Sequence, residues 1–314
     1  MEEPIKQLKL QNPPCAFLIP GIAVSYQPSV VFLKNSMVFR NRAKAAGLAG
    51  LVQTILGSET DQPELWDDDN LNLQKLSYVV NATVSDQCLE SGLIPSVIVG
   101  YSMGIYAALY AAGFYSFETG LEIVERAYYL VRGHCRSQGR EYGMGLLLGF
   151  TEEEIESLLL PATGGQVMIA MRNGIRSFIL AGEKESLKAC LADAHRKGAM
   201  GVRELAAKHP YHTGLLQGME QDFVAYLHLI PYLEPHTPVP SLVTGRVIDR
   251  SIVAEEIARA MCSPLTLDAV VISLTERFGI EYGVDIGPKQ SMKKLVRYID
   301  DSLRVEHYLE ALQS

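Results

Sequence analysis

The chain is 314 residues long, with a formal net charge of −8 and a pI near 5.5, an acidic balance that argues against general nucleic-acid binding, which needs a basic face. Its 48% hydrophobic and 20% charged residues suit one large folded domain, or a large domain with a smaller insert, and argue against disorder. Five scattered cysteines with no C-x-x-C pair give no zinc or disulfide pattern, and an acidic start with no long apolar run gives no signal peptide or membrane span, so a reducing, cytoplasmic protein without a metal is the default.

Residues 1–13 are polar and read as a loose lead-in. Cys15 to Ile19 reads as a buried strand ending at Pro20-Gly21, and residues 29–56 as mostly helix. Asp67-Asp68-Asp69-Asn70 is acidic but lacks calcium-loop spacing, so it reads as a solvated turn. A helix over Leu71–Ser91, closed by Gly92, leads into the apolar run Val97–Val99. Ser116 is the predicted cap of a helix running to about Val131, and Gly133–Gly143 reads as a basic linker. The rhythm then changes. Strands are predicted at Met144–Gly149, Gln166–Met171, Ser177–Ala181 and Gly201–Leu205, with helices at Thr151–Leu160 and Glu183–Lys197. This β-α-β-β-α-β order is ferredoxin-like. The predicted fold is therefore α/β, with a parallel-sheet, α/β-hydrolase-like domain over 1–140 and 207–314 and an inserted ferredoxin-like subdomain over 141–206. In the returning segment, Gly214–Leu229, Ser251–Cys262, Leu265–Phe278 and Ser291–Ile299 read as helices, and Val239–Thr244 and Tyr282–Ile286 as strands.

Chemistry concentrates at Gly100-Tyr101-Ser102-Met103-Gly104. A short apolar strand precedes it and a helix with small residues, Ile105–Ala112, follows. That context is what a G-x-S-x-G nucleophile elbow requires. The glycines permit a sharp turn, and the serine sits at a helix N-terminus whose N–H groups can stabilise an oxyanion. A serine nucleophile needs a base. Of seven histidines, His134, His195 and His228 fall in linker or helix-end positions, and His236 and His307 read as surface residues. His209-Pro210-Tyr211-His212 follows the small subdomain at the mouth of the main sheet, where spacing alone permits either histidine.

The stretch 96–131 resembles the malonyl-CoA:acyl-carrier-protein transacylase family, which includes polyketide synthase acyltransferase domains and whose elbow reads G-H-S-x-G-E-Y-A-A-L. Here it reads Gly100-Tyr101-Ser102-Met103-Gly104-Ile105-Tyr106-Ala107-Ala108-Leu109. The element order, the insert with Ala170, Asn173 and Gly182, and the closing Gly287-Pro288 match as well, so the resemblance covers most of the chain. It implies ping-pong acyl transfer between thioesters of coenzyme A or carrier-protein phosphopantetheine, with no bound cofactor. Ser102 is then the nucleophile and His212, last of the H-x-x-H tetrapeptide, the base. The implied oxyanion donors are the backbone N–H groups of Met103 and Ile22, and the backbone carbonyl of Thr266, after Ser263-Pro264, orients the histidine.

Departures from the family bear on the substrate. Its malonyl-binding arginine lies 25 residues past the serine, where this chain has Ala127. Arg126 is one place off, about 100° around a helix. A carboxylate buried without a bidentate partner is costly, so the implied acyl group is neutral. Tyr101 replaces histidine, Ile105 replaces glutamate, and Gln74 is the counterpart of the family's T-Q-P glutamine, Asp61-Gln62-Pro63 lying too far upstream. The implied acyl pocket comprises Tyr101, Ala127, Arg126, Tyr211 and Arg172, the two arginines being the alternative carboxylate partners of a true malonyl transferase. A carrier-protein thioesterase, in which water resolves the acyl-serine, is a further alternative, and a non-enzymatic docking module another. Arg132, Arg136 and Arg140, and Lys289, Lys293, Lys294 and Arg297, are basic clusters that could meet an acidic carrier protein. Neither nucleic acid nor membrane is an expected partner.

Overall fold

A computed structural model describes residues 14–23, 25–57 and 71–313. The lead-in, Asp61-Gln62-Pro63 and Asp67-Asp68-Asp69-Asn70 lie outside the described residues. The central sheet has four strands, β1 (Cys15–Ile19), β2 (Val97–Gly100), β10 (Tyr282–Asp285) and β11 (Arg304–His307), in the order β11-β10-β1-β2 and all parallel. β1 and β2 are buried throughout, as strands covered on both faces should be. Long helices pack on them. α4 (Leu71–Glu90) and α6 (Phe117–Gln138) flank the short α5 (Gly104–Ala111) that leaves β2. Toward the N-terminus the predicted single helical stretch is three helices, α1 (Gln27–Leu33), α2 (Met37–Ala45) and α3 (Ala49–Gly57).

The second sheet is built from the insert. β3 (Tyr142–Leu148), β4 (Val167–Arg172), β5 (Ser177–Glu183) and β6 (Gly201–Glu204) lie in the order β6-β3-β5-β4, antiparallel, with α7 (Glu152–Leu158) and α8 (Lys184–Arg196) as the connecting helices. This is the ferredoxin-like arrangement. Thr151 opens α7 with a reciprocal capping box to Glu154.

Several predicted elements shift. α6 continues to Gln138, absorbing most of the expected linker. Its face carries Val131 and Cys135 into the core while Arg136 stays outside, and Gly139 ends it in the left-handed region at φ 62°. The predicted helix from Gly214 is instead a 3₁₀ turn, Gly214–Leu216, then α9 (Glu220–Leu227), separated by Gly218 at φ 103°. Val239–Pro240 forms a two-residue ribbon, β7, with β8 (Val247–Ile248) rather than a main-sheet strand. Leu265–Thr266 is not helical. It forms β9, parallel to β4 at the edge of the small sheet, ahead of α11 (Leu267–Glu276). Among the described residues no helix is long and apolar enough to cross a membrane.

Candidate active site

The elbow is fixed by close backbone approach. A Cβ on Gly104 would sit 2.2 Å from the carbonyl oxygen of Ile19, and one on Gly100 2.5 Å from Cα of Ile105. Only glycine lets α5 begin hard against the end of β1. Ser102 pays for the sharp turn with a left-handed backbone, φ 53°. The Pro20-Gly21 loop lies alongside, with the Cβ direction of Gly21 3.3 Å from Cβ of Ser102 and 3.5 Å from the Met103 nitrogen. Neither the Ile22 nor the Met103 N–H has a hydrogen-bond partner among the described residues. Two side chains of α4 hold that loop. Asn81 donates Nδ2–H to the Pro20 carbonyl at 3.0 Å, and Ser77 donates its hydroxyl to the Gly21 carbonyl at 3.3 Å. Sequence reasoning missed both. The signal was a polar stripe, Gln74, Ser77, Asn81 and Ser85, at helical spacing on a face that is buried.

Ser102 Oγ lies 2.9 Å from Nε2 of His212. The other ring nitrogen, Nδ1, donates to the carbonyl of Ala260 at 2.5 Å. A carbonyl accepts only, so the proton sits on Nδ1, leaving Nε2 as the acceptor of the serine proton. Ala260 belongs to the last turn of α10 (Val253–Cys262), where carbonyls are without helical partners. The neighbouring Met261 carbonyl accepts the His212 backbone N–H at 2.8 Å. The helix end thus holds the imidazole by two adjacent carbonyls, and its partial negative charge favours the imidazolium formed during reaction. This corrects the expectation for Thr266, whose N–H and hydroxyl both go to the Leu242 carbonyl, at 2.7 and 2.9 Å. Pro264 explains the difference. It forces Ser263 into an extended conformation (φ −132°, ψ 147°), ending α10 where its free carbonyls meet the histidine. His212 is 5% exposed. Burial drives its pKa from 6.5 down to about 4, against the opposing Ala260 bond, so the imidazole is neutral at pH 7 and able to act as a base. His209 is buried nearby with its ring edge toward Tyr211, and Ser102 contacts His212 instead. His307, expected at the surface, is 5% exposed and donates to the Gly287 carbonyl at 2.7 Å, beneath the first turn of α12 (Ser291–Ile299).

A cavity of about 320 Å³ opens beside the pair, between the two sheets. Tyr101, Ala127 and Tyr211 line it, as expected, together with Ile22, Met103 and Gln74. Tyr101 spans it. Its hydroxyl donates to Asn173 Oδ1 at 2.9 Å and touches Met171 Sδ at 3.0 Å, both on the small subdomain. Burial holds that phenol protonated, its pKa pushed up to about 12. Gln74 donates to the Tyr211 hydroxyl at 3.1 Å. Two expected pocket residues are elsewhere. Arg126 is exposed on the far side of α6, its guanidinium 5.5 Å from the centre of the Tyr226 ring, as one step of 100° around a helix requires. Arg172 is held at the end of β4 by Asp268 at 2.9 Å and Glu152 at 3.0 Å. No Asp, Glu, Lys or Arg lines the cavity among the described residues. Arg132, Arg136 and Arg140 instead line an adjoining hollow of about 530 Å³ at the junction of the two subdomains, with Lys184 and Lys208, which shares Met144, Leu205, Ala206 and Ala207 with the cavity.

Solved structures share this architecture almost end to end. The malonyl-CoA:acyl carrier protein transacylase of Xanthomonas oryzae superposes with a TM-score of 0.85 over 97% of this chain and 99% of its own, at 21% identity. The fold is that of the malonyl-CoA:acyl-carrier-protein transacylases. The malonyl-transacylase solved in complex with a type II polyketide acyl-carrier protein gives 0.84 over 96% of this chain, also at 21% identity. In sequence the chain is a divergent relative of such transacylases and of polyketide biosynthesis proteins. It is 23% identical over 219 residues to the malonyl CoA-acyl carrier protein transacylase of Staphylococcus aureus, 68% of this chain and 69% of that one. It is 27% identical over 227 residues to the polyketide biosynthesis protein ThaF of Burkholderia thailandensis, 72% of this chain. It spans only 19% of the length of ThaF. No family model matches the chain.

Proposed function

We propose that the protein is an acyltransferase of polyketide or fatty-acid-type biosynthesis, moving a neutral acyl group from coenzyme A or a carrier protein onto carrier-protein phosphopantetheine through acyl-Ser102. The observation that carries this is the Ser102–His212 pair, in the tautomer a base requires, facing a cavity that no Asp, Glu, Lys or Arg lines among the described residues. His212 takes the Ser102 proton as Oγ attacks the thioester carbonyl. The developing oxyanion is received by the Met103 and Ile22 N–H groups. The pantetheine thiolate leaves with the proton from His212. In the second half His212 takes the proton of an incoming thiol, which attacks the acyl-serine, and His212 returns that proton to Ser102 Oγ as it leaves. In this reading a small subdomain over 141–206 supplies the far wall of the cleft, through Met144, Met171 and Ile179, and a large domain over 1–140 and 207–314 supplies the chemistry. The malonyl alternative loses its support with Arg126 and Arg172 outside the cavity. A partner that is an acyl carrier protein is supported by the transacylase relatives' own names. A reducing, cytoplasmic setting is supported by the five cysteines, each a buried thiol.

Incubation with acetyl-, butyryl- and malonyl-CoA followed by intact-mass measurement tests this. A butyryl adduct that is lost in Ser102→Ala and moves to holo carrier protein faster than it decays in water supports the proposal. Faster decay in water makes the protein a thioesterase. No adduct from any thioester makes it a docking module.

A further inference from the structure

The wall of the catalytic cavity is rich in methionine. Met103, Met144, Met171, Met261 and Met292 all reach it, from the elbow, β3, β4, α10 and α12, and these are five of the ten in the chain. A methionine wall is unbranched, polarisable and able to re-pack around different shapes. The polar side chains on the same wall are already engaged within the protein. The Tyr101 hydroxyl is spent on Asn173, the Tyr106 hydroxyl lies against Met261 Sδ at 3.5 Å, Gln74 holds Tyr211, and His212 is shared by Ser102 and Ala260. The exception is Ser291, in the first turn of α12, whose Oγ is buried without a partner among the described residues. Among the described residues the cavity lining therefore holds one uncommitted hydroxyl, at Ser291, in an otherwise largely apolar wall.

We infer, resting on the acyl-transfer proposal above, that Ser102 carries a flexible aliphatic acyl chain several carbons longer than acetyl, laid along the methionine wall, with the amides of the pantetheine arm at Ser291. At about 30 Å³ for a water-sized unit, the three heavy atoms of an acetyl group fill on the order of 90 Å³. That is well short of the 320 Å³ that the acyl chain and the inner end of the pantetheine arm would share. The rest is apolar surface that gains by being covered. Each buried methylene contributes about 0.8 kcal/mol, which is about fourfold in kcat/KM for acylation. The rate constant should climb by that factor per added carbon until the cavity is full. Because methionines re-pack, the fall beyond the optimum should be gradual.

Single-turnover acylation by the straight-chain series from acetyl- to decanoyl-CoA, read by intact mass, tests the inference. The expected profile rises about fourfold per methylene over the first steps. Ala127→Phe, which places a ring in the cavity, should move the optimum to shorter chains, and Met144→Ala should move it to longer ones. Thermal melting establishes that each variant is folded, and the wild-type profile stands independently of both. Ser291→Ala should raise KM equally at every chain length. Fastest loading by acetyl-CoA with a steady decline thereafter would overturn the inference while leaving neutral acyl transfer intact. An unchanged optimum in folded Ala127→Phe, or a changed chain-length preference in Ser291→Ala, would overturn it too. Loading by malonyl-CoA alone would overturn the acyl-transfer proposal itself.

Discussion

The acidic limb of the pH–rate profile reports on His212 directly. Burial brings its pKa to about 4. At pH 5 about 90% of such an imidazole is still the neutral base, against ~3% for one at the unperturbed 6.5. kcat/KM for acylation, which follows the free enzyme, should therefore be nearly flat from pH 8 to pH 5, roughly, and half lost near pH 4. The profile is readable only if the fold survives acid. A histidine with a lowered native pKa contributes stability that is fully present above pH 6.5 and is lost as pH falls toward 4. Asp285 works in the opposite direction. It lies buried at the end of β10, accepting from the Gly287 and Lys293 N–H groups, and its carboxyl is pushed from 3.8 up to about 7 by burial. Its contribution is present in acid and is lost as pH rises through 7. Each shift corresponds to about 3–4 kcal/mol, and their windows overlap, so between pH 4 and 6.5 the two largely offset. Stopped-flow acylation with melting temperatures at each pH separates the effects. An acidic midpoint near 6.5 with the protein fully folded would refute the buried-base argument.

Other perturbations test the remaining contacts. Gly104→Ala, which would stabilise an ordinary helix by about 1 kcal/mol, should abolish soluble, folded protein, because its Cβ would lie 2.2 Å from the Ile19 oxygen. A normal yield and melting temperature would contradict that geometry. Tyr101→Phe leaves Asn173 Oδ1, on a residue only 3% exposed, without its donor, and should cost about 1–3 kcal/mol in denaturant unfolding. Ala127→Arg puts a guanidinium at a cavity position. It should create a malonyl adduct detectable by mass and slow butyryl loading, and no gain in malonyl loading would show that position 127 does not read the acyl group.

The elbow at Ser102 was legible because glycine spacing around it answers to hard steric limits, and those limits are visible in the letters. The ferredoxin-like insert was legible from the alternation of short strands and helices over residues 141–206. The choice of His212 as the proposed base rests on resemblance, since spacing could not separate His209 from His212. The partner of His212 was not legible at all. A backbone carbonyl has no residue identity, and which carbonyl faces the ring depends on where α10 ends, at Ala260–Cys262. The helix end of α6 lies beyond the predicted one because Gly133–Gly143, with Arg136 and Arg140, reads as a polar linker, although Val131 and Cys135 keep a buried stripe beneath it. β11 was missed because Arg304–His307 is a polar edge strand with only alternate residues buried. The loop-holding pair Ser77 and Asn81 could have been found, since polar residues at helical spacing within an apolar helix ask what they bond.

The neutral-acyl assignment is tested most directly by competition. An equimolar mixture of butyryl-CoA and malonyl-CoA, offered with holo carrier protein and quenched within one turnover, gives the selectivity in a single mass spectrum of the carrier. A carboxylate entering a cavity that no Lys or Arg lines among the described residues forfeits several kcal/mol, at least ~2 by the lower estimates. The expected product is butyryl-carrier in excess of roughly thirtyfold or more, lost in Ser102→Ala. Malonyl-carrier as the main product would contradict the assignment and return the protein to the malonyl transferases.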